Sequence, residues 1–245
     1  MIPLETWYND HVKKFNKFEM QNILNVQFFR DPPRPIIIDK SSFYSPCDGT
    51  ILYQKTVTPT DQILEVKGMK YDLESLTQGQ LKPDPINNPE NLYDVIGVFM
   101  TFYDVHVIRM PTSGLLKWQD LDSIMSYNFP MLGVETALFA NDPNYENMGL
   151  DYLFNNERRL NTIVNNKLNY KYHVVTIADE EIDCIMNYGD SGDFYEQGSR
   201  FSIIRWGSQC DMILPHDKRY NIELQGKELY HVEAGIDKLA KVRKK

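Results

Sequence analysis

The sequence predicts an α+β protein: a β-rich, mostly antiparallel single domain carrying an amphipathic helical segment at its N-terminus. Three observations lead there. Short runs of β-branched and aromatic residues recur along most of the chain, bounded by Gly, Pro, Asp or Ser, which is the punctuation of strands and turns. The N-terminal segment 1–30 instead spaces its apolar positions three and four residues apart. No internal repeat or low-complexity tract interrupts the pattern, which disfavours a solenoid.

The helical segment rests on Leu4, Tyr8, Val12, Phe15, Phe18, Ile23 and Leu24, set between charged positions. Its apolar face is expected to pack on the body of the protein, with a membrane surface or a partner as the alternative. Asp31-Pro32-Pro33-Arg34-Pro35 ends it, because prolines remove amide donors and force extended backbone. Strands are expected at 36–38, 50–53, 63–66, 95–100, 105–108, 173–177, 182–186, 201–205 and 211–214. Residues 71–78, closed by Gly79, read as a short helix, 152–160 as another, and 139–149 as a polar loop. The tail holds Lys238, Lys241, Arg243, Lys244 and Lys245, which suits a solvated terminus or attraction to anionic lipid headgroups.

Composition removes several classes. The chain has 245 residues with 26 Lys+Arg against 34 Asp+Glu, a formal charge of −8. Nucleic acid is therefore not an expected partner, since phosphate binding needs clustered positive charge. Hydrophobic residues make up 42% and aromatics 12%, enough for a packed core. Cys47, Cys184 and Cys210 form neither a disulfide framework nor a CxxC zinc site, which suits a reducing compartment. No apolar run approaches the roughly 20 residues of a membrane span, and the first residues lack the apolar core of a signal peptide. The expected location is cytoplasmic, with peripheral contact at the inner face of a membrane.

Nucleotide loops, HExxH, GxSxG and EF-hand signatures are absent from the sequence. The histidines, His11, His106, His173, His216 and His231, show no metal-ligand spacing, so no metal is expected. Three polar segments stand out among the apolar strands. Ser45-Pro46-Cys47-Asp48-Gly49-Thr50 places an acid in a turn. Asp104-Val105-His106-Val107-Ile108-Arg109 alternates, with Asp104, His106 and Ile108 on one side and Arg109 on the other. Arg205-Trp206-Gly207-Ser208-Gln209-Cys210-Asp211 sets a Gly-Ser step inside what otherwise reads as strand. Each has a structural reading: Asp48 as a turn former, His106 as a core histidine, Gly207 as a bulge. Together, Ser, His and Asp are the set that activates a hydroxyl, and a glycine before the serine eases attack on its own preceding carbonyl.

With these segments in view, the chain resembles the phosphatidylserine decarboxylase family, in particular its short form. FFRDPPRP at 28–35 followed by SPCDGT, VKGMKYDLESL at 66–76, DVHVIRMPTSG at 104–114, NNERR at 155–159 and GSRFSIIRWGSQCDMILP at 198–215 occur in the family's order. The resemblance implies a decarboxylase domain at 31–245 behind the 1–30 segment, cut by its own Ser208 at the Gly207–Ser208 bond. The products would be a β chain of residues 1–207 and an α chain of residues 208–245, which remain associated. Ser208 would become a pyruvoyl group, the cofactor and electron sink for the substrate amine. His106 would be the base and later the proton donor, and Asp48 its orienting acid. Arg109 occupies the position of a second histidine found in long forms, so one histidine serves both steps or a second group lies elsewhere in the chain.

The resemblance implies conversion of phosphatidylserine to phosphatidylethanolamine and CO2 by a homo-oligomer at a membrane surface. Alternatives are a pyruvoyl-dependent decarboxylase of a soluble amino acid, or an unprocessed, non-catalytic lipid-binding homologue.

Overall fold

A computed structural model of the chain describes residues 1–15, 17–66, 69–121, 132–142, 156–178, 184–205 and 209–245. Its centre is a nine-stranded sheet in which every neighbouring pair is antiparallel. Across the sheet the strands run Ile2–Pro3, Tyr230–Val232, Gly49–Val57, Tyr93–Phe99, Gln209–Pro215, Tyr170–Ile177, Arg158–Asn165, Gly114–Leu121 and Phe194–Tyr195.

Both faces of this sheet are buried, and strand alternation sorts the residues between them. Val95, Phe99, Val175 and Ile213 point to one face, where Leu4, Trp7, Val12, Leu73 and Val134 from helical segments cover them. Ile96, Val98, Val174 and Met212 point to the other. There two three-stranded sheets close the layer: Ile185–Asn187, Arg200–Ile204 and Val107–Arg109, and Tyr220–Leu224, Lys238–Lys244 and Ser42–Tyr44. Phe201, Phe43, Leu239 and Ala240 from these sheets fill this second core. The molecule is thus layered as helices, large sheet, small sheets, an α+β arrangement.

The expected strands at 50–53, 95–100, 173–177, 201–205 and 211–214 fall within or across observed strands. Residues 71–78 contain the helix Leu73–Thr77, whose first turn is capped by Asp72 accepting from the Ser75 amide at 2.8 Å. The N-terminal segment is broken rather than continuous, with helix at Leu4–Asp10, one 3-10 turn, and further helical turns over Met20–Phe28.

Four local expectations change. Residues 36–38 form no strand; Ile36, Ile37 and Ile38 are exposed on a segment that follows three prolines lacking amide donors. The second helix expected at 152–160 is overturned from 158 onward, where Arg158–Asn165 is a central strand paired on both edges. Residues 143–155, including most of the expected loop, lie outside the described residues, while Leu132–Phe139 forms a helix that the sequence reading lacked. The basic tail is no free terminus: Lys238–Lys244 is the middle strand of a small sheet, with Leu239, Ala240 and Val242 buried and Lys238 bonded to Asp39 at 2.7 Å. Among the described residues no helix is long and apolar enough to cross a membrane.

Candidate active site

The three polar segments converge at one end of the large sheet. Gly49 begins its strand at φ +149°, and a Cβ there would collide with the Phe99 carbonyl, so the residue after Asp48 must be glycine. That close approach sets Asp48 at the sheet end beside the turn leaving Tyr93–Phe99. The turn closes on itself: the Thr101 amide and hydroxyl both donate to Asp104 Oδ2 at 2.8 Å. His106 follows, and Val107–Arg109 pairs with Arg200–Ile204. The Ile204 amide donates to the His106 carbonyl at 3.1 Å, tying the histidine to the strand that leads toward Gly207 and Ser208.

Residues 206–208, including Gly207 and Ser208, lie outside the described residues, and only their flanks are described. Before them, Arg205 N bonds the Cys184 carbonyl at 2.8 Å. After them, Gln209 is in register with Phe99 and Ile177. Gln209 is also held by a buried triad: its side-chain amide donates to Tyr53 Oη at 3.0 Å and to Asp211 Oδ1 at 2.8 Å, and Tyr53 Oη donates to Asp211 Oδ2 at 2.7 Å. Burial pushes the Asp211 carboxyl up to about 6 against the opposing pull of these bonds. The Tyr53 ring lies where a Cβ on Gly97 would stand, so that glycine is what admits it.

His106 is 1% exposed. Its ring stacks on Phe28 with centroids 3.8 Å apart, and its Nδ1 donates to the Asp104 carbonyl at 3.0 Å, since a carbonyl only accepts. The proton is thereby fixed on Nδ1, and Nε2 presents a lone pair. Burial, opposed by Asp104, pulls the ring's pKa down to about 4, so it is neutral at ordinary pH. Nε2 is buried with no hydrogen-bond partner among the described residues. A buried, unpartnered acceptor beside the strand leading to Ser208 fits a hydroxyl to be deprotonated there, and fits a polar group formed in its place.

Asp48 and His106 are not bonded to each other. Asp48 makes a two-pronged ion pair with Arg34, Nη1 to Oδ1 and Nη2 to Oδ2, each at 2.6 Å, and accepts the Ala234 amide at 2.8 Å. The expected orienting contact is thus replaced: Asp104 orients His106 through its backbone, while Arg34 and Ala234 engage both Asp48 oxygens. Arg109 faces elsewhere, donating to the Gly198 carbonyl at 3.0 Å and pairing with Asp31 at 3.4 Å.

A cleft of about 390 Å³ opens here, walled by Trp7, Arg30, Arg34, Asp48, Asp104 and His231. His231 Nε2 donates to Asp104 Oδ1 at 2.6 Å, and its ring stacks on Trp7 with centroids 4.1 Å apart. Burial alone would raise the Asp104 carboxyl, but His231 and Thr101 outweigh it and hold it below its usual range. Arg30 donates to the Tyr103 carbonyl at 2.7 Å. Sequence reasoning missed Arg30, Arg34, Trp7 and His231 as site residues. The arginines stood in the FFRDPPRP segment, whereas no spacing signalled His231. Within NNERR, two residues act as braces: Glu157 accepts the Cys184 and Ile185 amides, and Arg158 donates to the Ser75 and Leu76 carbonyls.

The β-sheet scaffold thus carries a buried, neutral histidine, whose Nε2 has no hydrogen-bond partner among the described residues, beside a charged cleft, and perturbed buried groups of this kind are enriched at enzyme sites. The family model for phosphatidylserine decarboxylase matches residues 21–237, and the chain belongs to that family. It is 29% identical over 192 residues to a phosphatidylserine decarboxylase proenzyme of Beijerinckia indica, covering 78% of this chain and 64% of that protein. A putative archaetidylserine decarboxylase proenzyme of Methanothermobacter thermautotrophicus is 29% identical, with 78% and 70% covered. A phosphatidylserine decarboxylase proenzyme of Burkholderia lata is 26% identical, with 84% and 74% covered.

Proposed function

We propose that the protein is a self-processing, pyruvoyl-dependent decarboxylase that converts phosphatidylserine to phosphatidylethanolamine and CO2. The observation that carries this reading is the His106 Nε2 lone pair, buried and without a hydrogen-bond partner among the described residues, on a segment bonded to Ile204. In this reading His106 takes the Ser208 proton, the serine oxygen attacks the Gly207 carbonyl and the peptide C–N bond breaks to leave an ester; β-elimination then releases the Gly207 carboxylate, and water hydrolyses the remaining dehydroalanine to pyruvoyl and ammonia. The resulting pyruvoyl group supplies the electron sink for decarboxylation of an amine-bearing substrate. Asp48 serves by fixing Arg34 at the cleft wall, and Arg30 and Arg34 bring positive charge to an anionic headgroup.

Membrane contact belongs to the same proposal. Val26, Phe29, Ile36, Ile37 and Ile38 are exposed along the segment entering the cleft wall, and such an apolar edge suits a bilayer surface. Cytoplasmic location and assembly of like subunits complete the reading.

Intact mass under denaturing conditions tests it. The 28.7 kDa chain should appear as two fragments ending and beginning at Gly207 and Ser208, the smaller blocked by pyruvoyl, and Ser208→Ala should stay whole. An uncut wild-type chain refutes the reading. With cleavage established, CO2 release from phosphatidylserine vesicles but not from free serine identifies the lipid substrate, and the reverse result replaces it with a soluble amino acid.

A further inference from the structure

Arg30 and Arg34 both wall the cleft, and they stand in opposite electrostatic states. Arg34 is matched: its two Nη atoms bond Asp48 at 2.6 Å, and Glu233 lies 3.9 Å away. Burial opposes its charge, but the Asp48 contacts outweigh burial and hold its pKa above the usual value. Arg30 forms no ion pair among the described residues. Its Nη1 donates to the Gln27 carbonyl at 2.6 Å and its Nη2 to the Tyr103 carbonyl at 2.7 Å, both neutral acceptors, and its remaining N–H groups have no partner among the described residues. Burial pulls its pKa below the usual value, against the attraction of Asp104 and Asp48. A guanidinium keeps its charge at any ordinary pH, so an under-neutralised cation stands in the cleft.

The other carboxylates of the cleft are engaged elsewhere. Asp104 accepts from Thr101 and pairs with His231, Asp237 pairs with the N-terminal amine, and Glu233 faces Arg34 and solvent. Arg30 is also set at a fixed offset from His106. The Tyr103 and Asp104 carbonyls are consecutive in one turn, the first holding Arg30 and the second holding His106 Nδ1. Phe28, on the Arg30 segment, stacks on the His106 ring. A cation preset in this way suits a part of the substrate that does not react.

A serine phospholipid headgroup offers two anions, a carboxylate and a phosphodiester. The carboxylate departs as CO2, and a guanidinium bonded to it would stabilise the charge that must be lost, which slows the reaction. The phosphodiester keeps its charge throughout. We propose that Arg30 is the binding residue for the phosphodiester of the substrate headgroup, and that Arg34, neutralised by Asp48, shapes the wall beside it. The identity of the headgroup rests on the decarboxylase reading above; the anion site does not.

The first test needs no cofactor. Full-length Ser208→Ala protein is titrated with glycerophosphoethanolamine, which has the phosphodiester and the amine but no carboxylate, and binding is followed by ³¹P NMR. Ser208→Ala/Arg30→Gln should bind it about 10- to 100-fold more weakly, the loss expected for charge-assisted hydrogen bonds. Arg30→Lys, a charge without the planar fork, should fall between, and it carries the comparison should Arg30→Gln fail to fold. Absence of binding to Ser208→Ala protein, or binding unchanged by Arg30→Gln, overturns the proposal. Inorganic phosphate binding as tightly also overturns it, since the site then takes free phosphate rather than a headgroup. The second test uses processed enzyme and dispersed dihexanoylphosphatidylserine. Arg30→Gln should be cut to the same two fragments, with KM raised about tenfold or more and kcat within about threefold, because the contact is the same in ground and transition states. A fall in kcat at unchanged KM overturns the proposal and puts Arg30 at the reacting atoms. A wild-type chain that is never cut refutes the decarboxylase reading alone, and the ³¹P titration still decides the anion site.

Discussion

The Asp104 backbone carbonyl lies 3.0 Å from His106 Nδ1, and the Asp104 carboxylate lies 2.6 Å from His231 Nε2. One residue thus fixes the orientation of two imidazoles, a carbonyl selecting the tautomer of one and a charge pairing with the other. The peptide unit cannot be deprotonated or mutated away, so the His106 tautomer is secured by backbone geometry.

The rate of self-cleavage should follow that tautomer. With the ring's pKa pulled down to about 4 by burial, the base stays unprotonated across mildly acidic pH. Cleavage followed by mass should therefore remain level from pH 7 down to about 5 and fall only near 4, rather than failing near the usual histidine value of about 6.5. His106→Ala should remain uncut. The sign for stability is the same: the unfolded chain takes up a proton below its ordinary pKa while the folded ring does not, so stability from this group is present at neutral pH and lost as pH falls toward 4.

The Arg34–Asp48 pair is nearly sealed from solvent, with side chains 5% and 3% exposed. Asp48→Asn leaves a buried guanidinium with only the half-exposed Glu233 at 3.9 Å as counter-charge, and the expected cost is about 3–5 kcal/mol, read as a lower urea midpoint at unchanged slope. Arg34→Met/Asp48→Leu should recover most of that stability. Failure of the double variant to decarboxylate once cut would separate a role in the cleft from a role in folding.

Gly97→Ala should act at a distance. Its methyl would occupy the place of the Tyr53 ring, and displacing that ring strands Asp211 and the Gln209 side chain without their shared hydroxyl. Tyr53→Phe removes the hydroxyl alone, at about 1–3 kcal/mol for a buried group left unsatisfied. Both variants should slow cleavage while leaving His106 untouched, because they loosen the residue next to Ser208; a time course on freshly folded protein checks this.

Glu135 is a buried carboxyl whose pKa burial pushes up to about 8, and among the described residues only the Phe102 amide donates to it, at 3.2 Å. The folded state keeps its proton where the unfolded state has lost it, so stability is full below the ordinary glutamate range and declines as pH rises toward 8. Glu135→Gln removes the titration. Its melting temperature should match wild type at pH 4 and exceed it at pH 8 by several degrees, about what 1–2 kcal/mol gives in a chain of this size.

The strands and the polar segments were legible because each carries a local signal: β-branched runs between turn residues, an acid before a glycine, a histidine inside an alternating stretch. Local signals also misled. Arg158, Asn161 and Asn165 are buried polar residues of a central strand, so Arg158–Asn165 lacks the apolar alternation that would mark it. Ile36-Ile37-Ile38 has strand composition but no neighbour to pair with. The site's partnerships were beyond local reading. Asp104 and His231 are 127 positions apart, and what joins them is the order of strands in the sheet, which no spacing encodes. Asp48 looked like a partner for histidine because Arg34 is an exposed-type residue in sequence terms, and only its burial explains why it claims the carboxylate.

The segment after Ser208 does not sit at the margin of the fold. Gln209–Pro215 runs between Tyr93–Phe99 and Tyr170–Ile177, Tyr230–Val232 lies against Gly49–Val57, and Lys238–Lys244 lies against Ser42–Tyr44. Severing the bond before Ser208 would change the number of chain ends and leave the architecture alone. The two polypeptides would be born already assembled, in one-to-one ratio, with no encounter to make. Dilution could not part them, because parting them means unfolding the sheet.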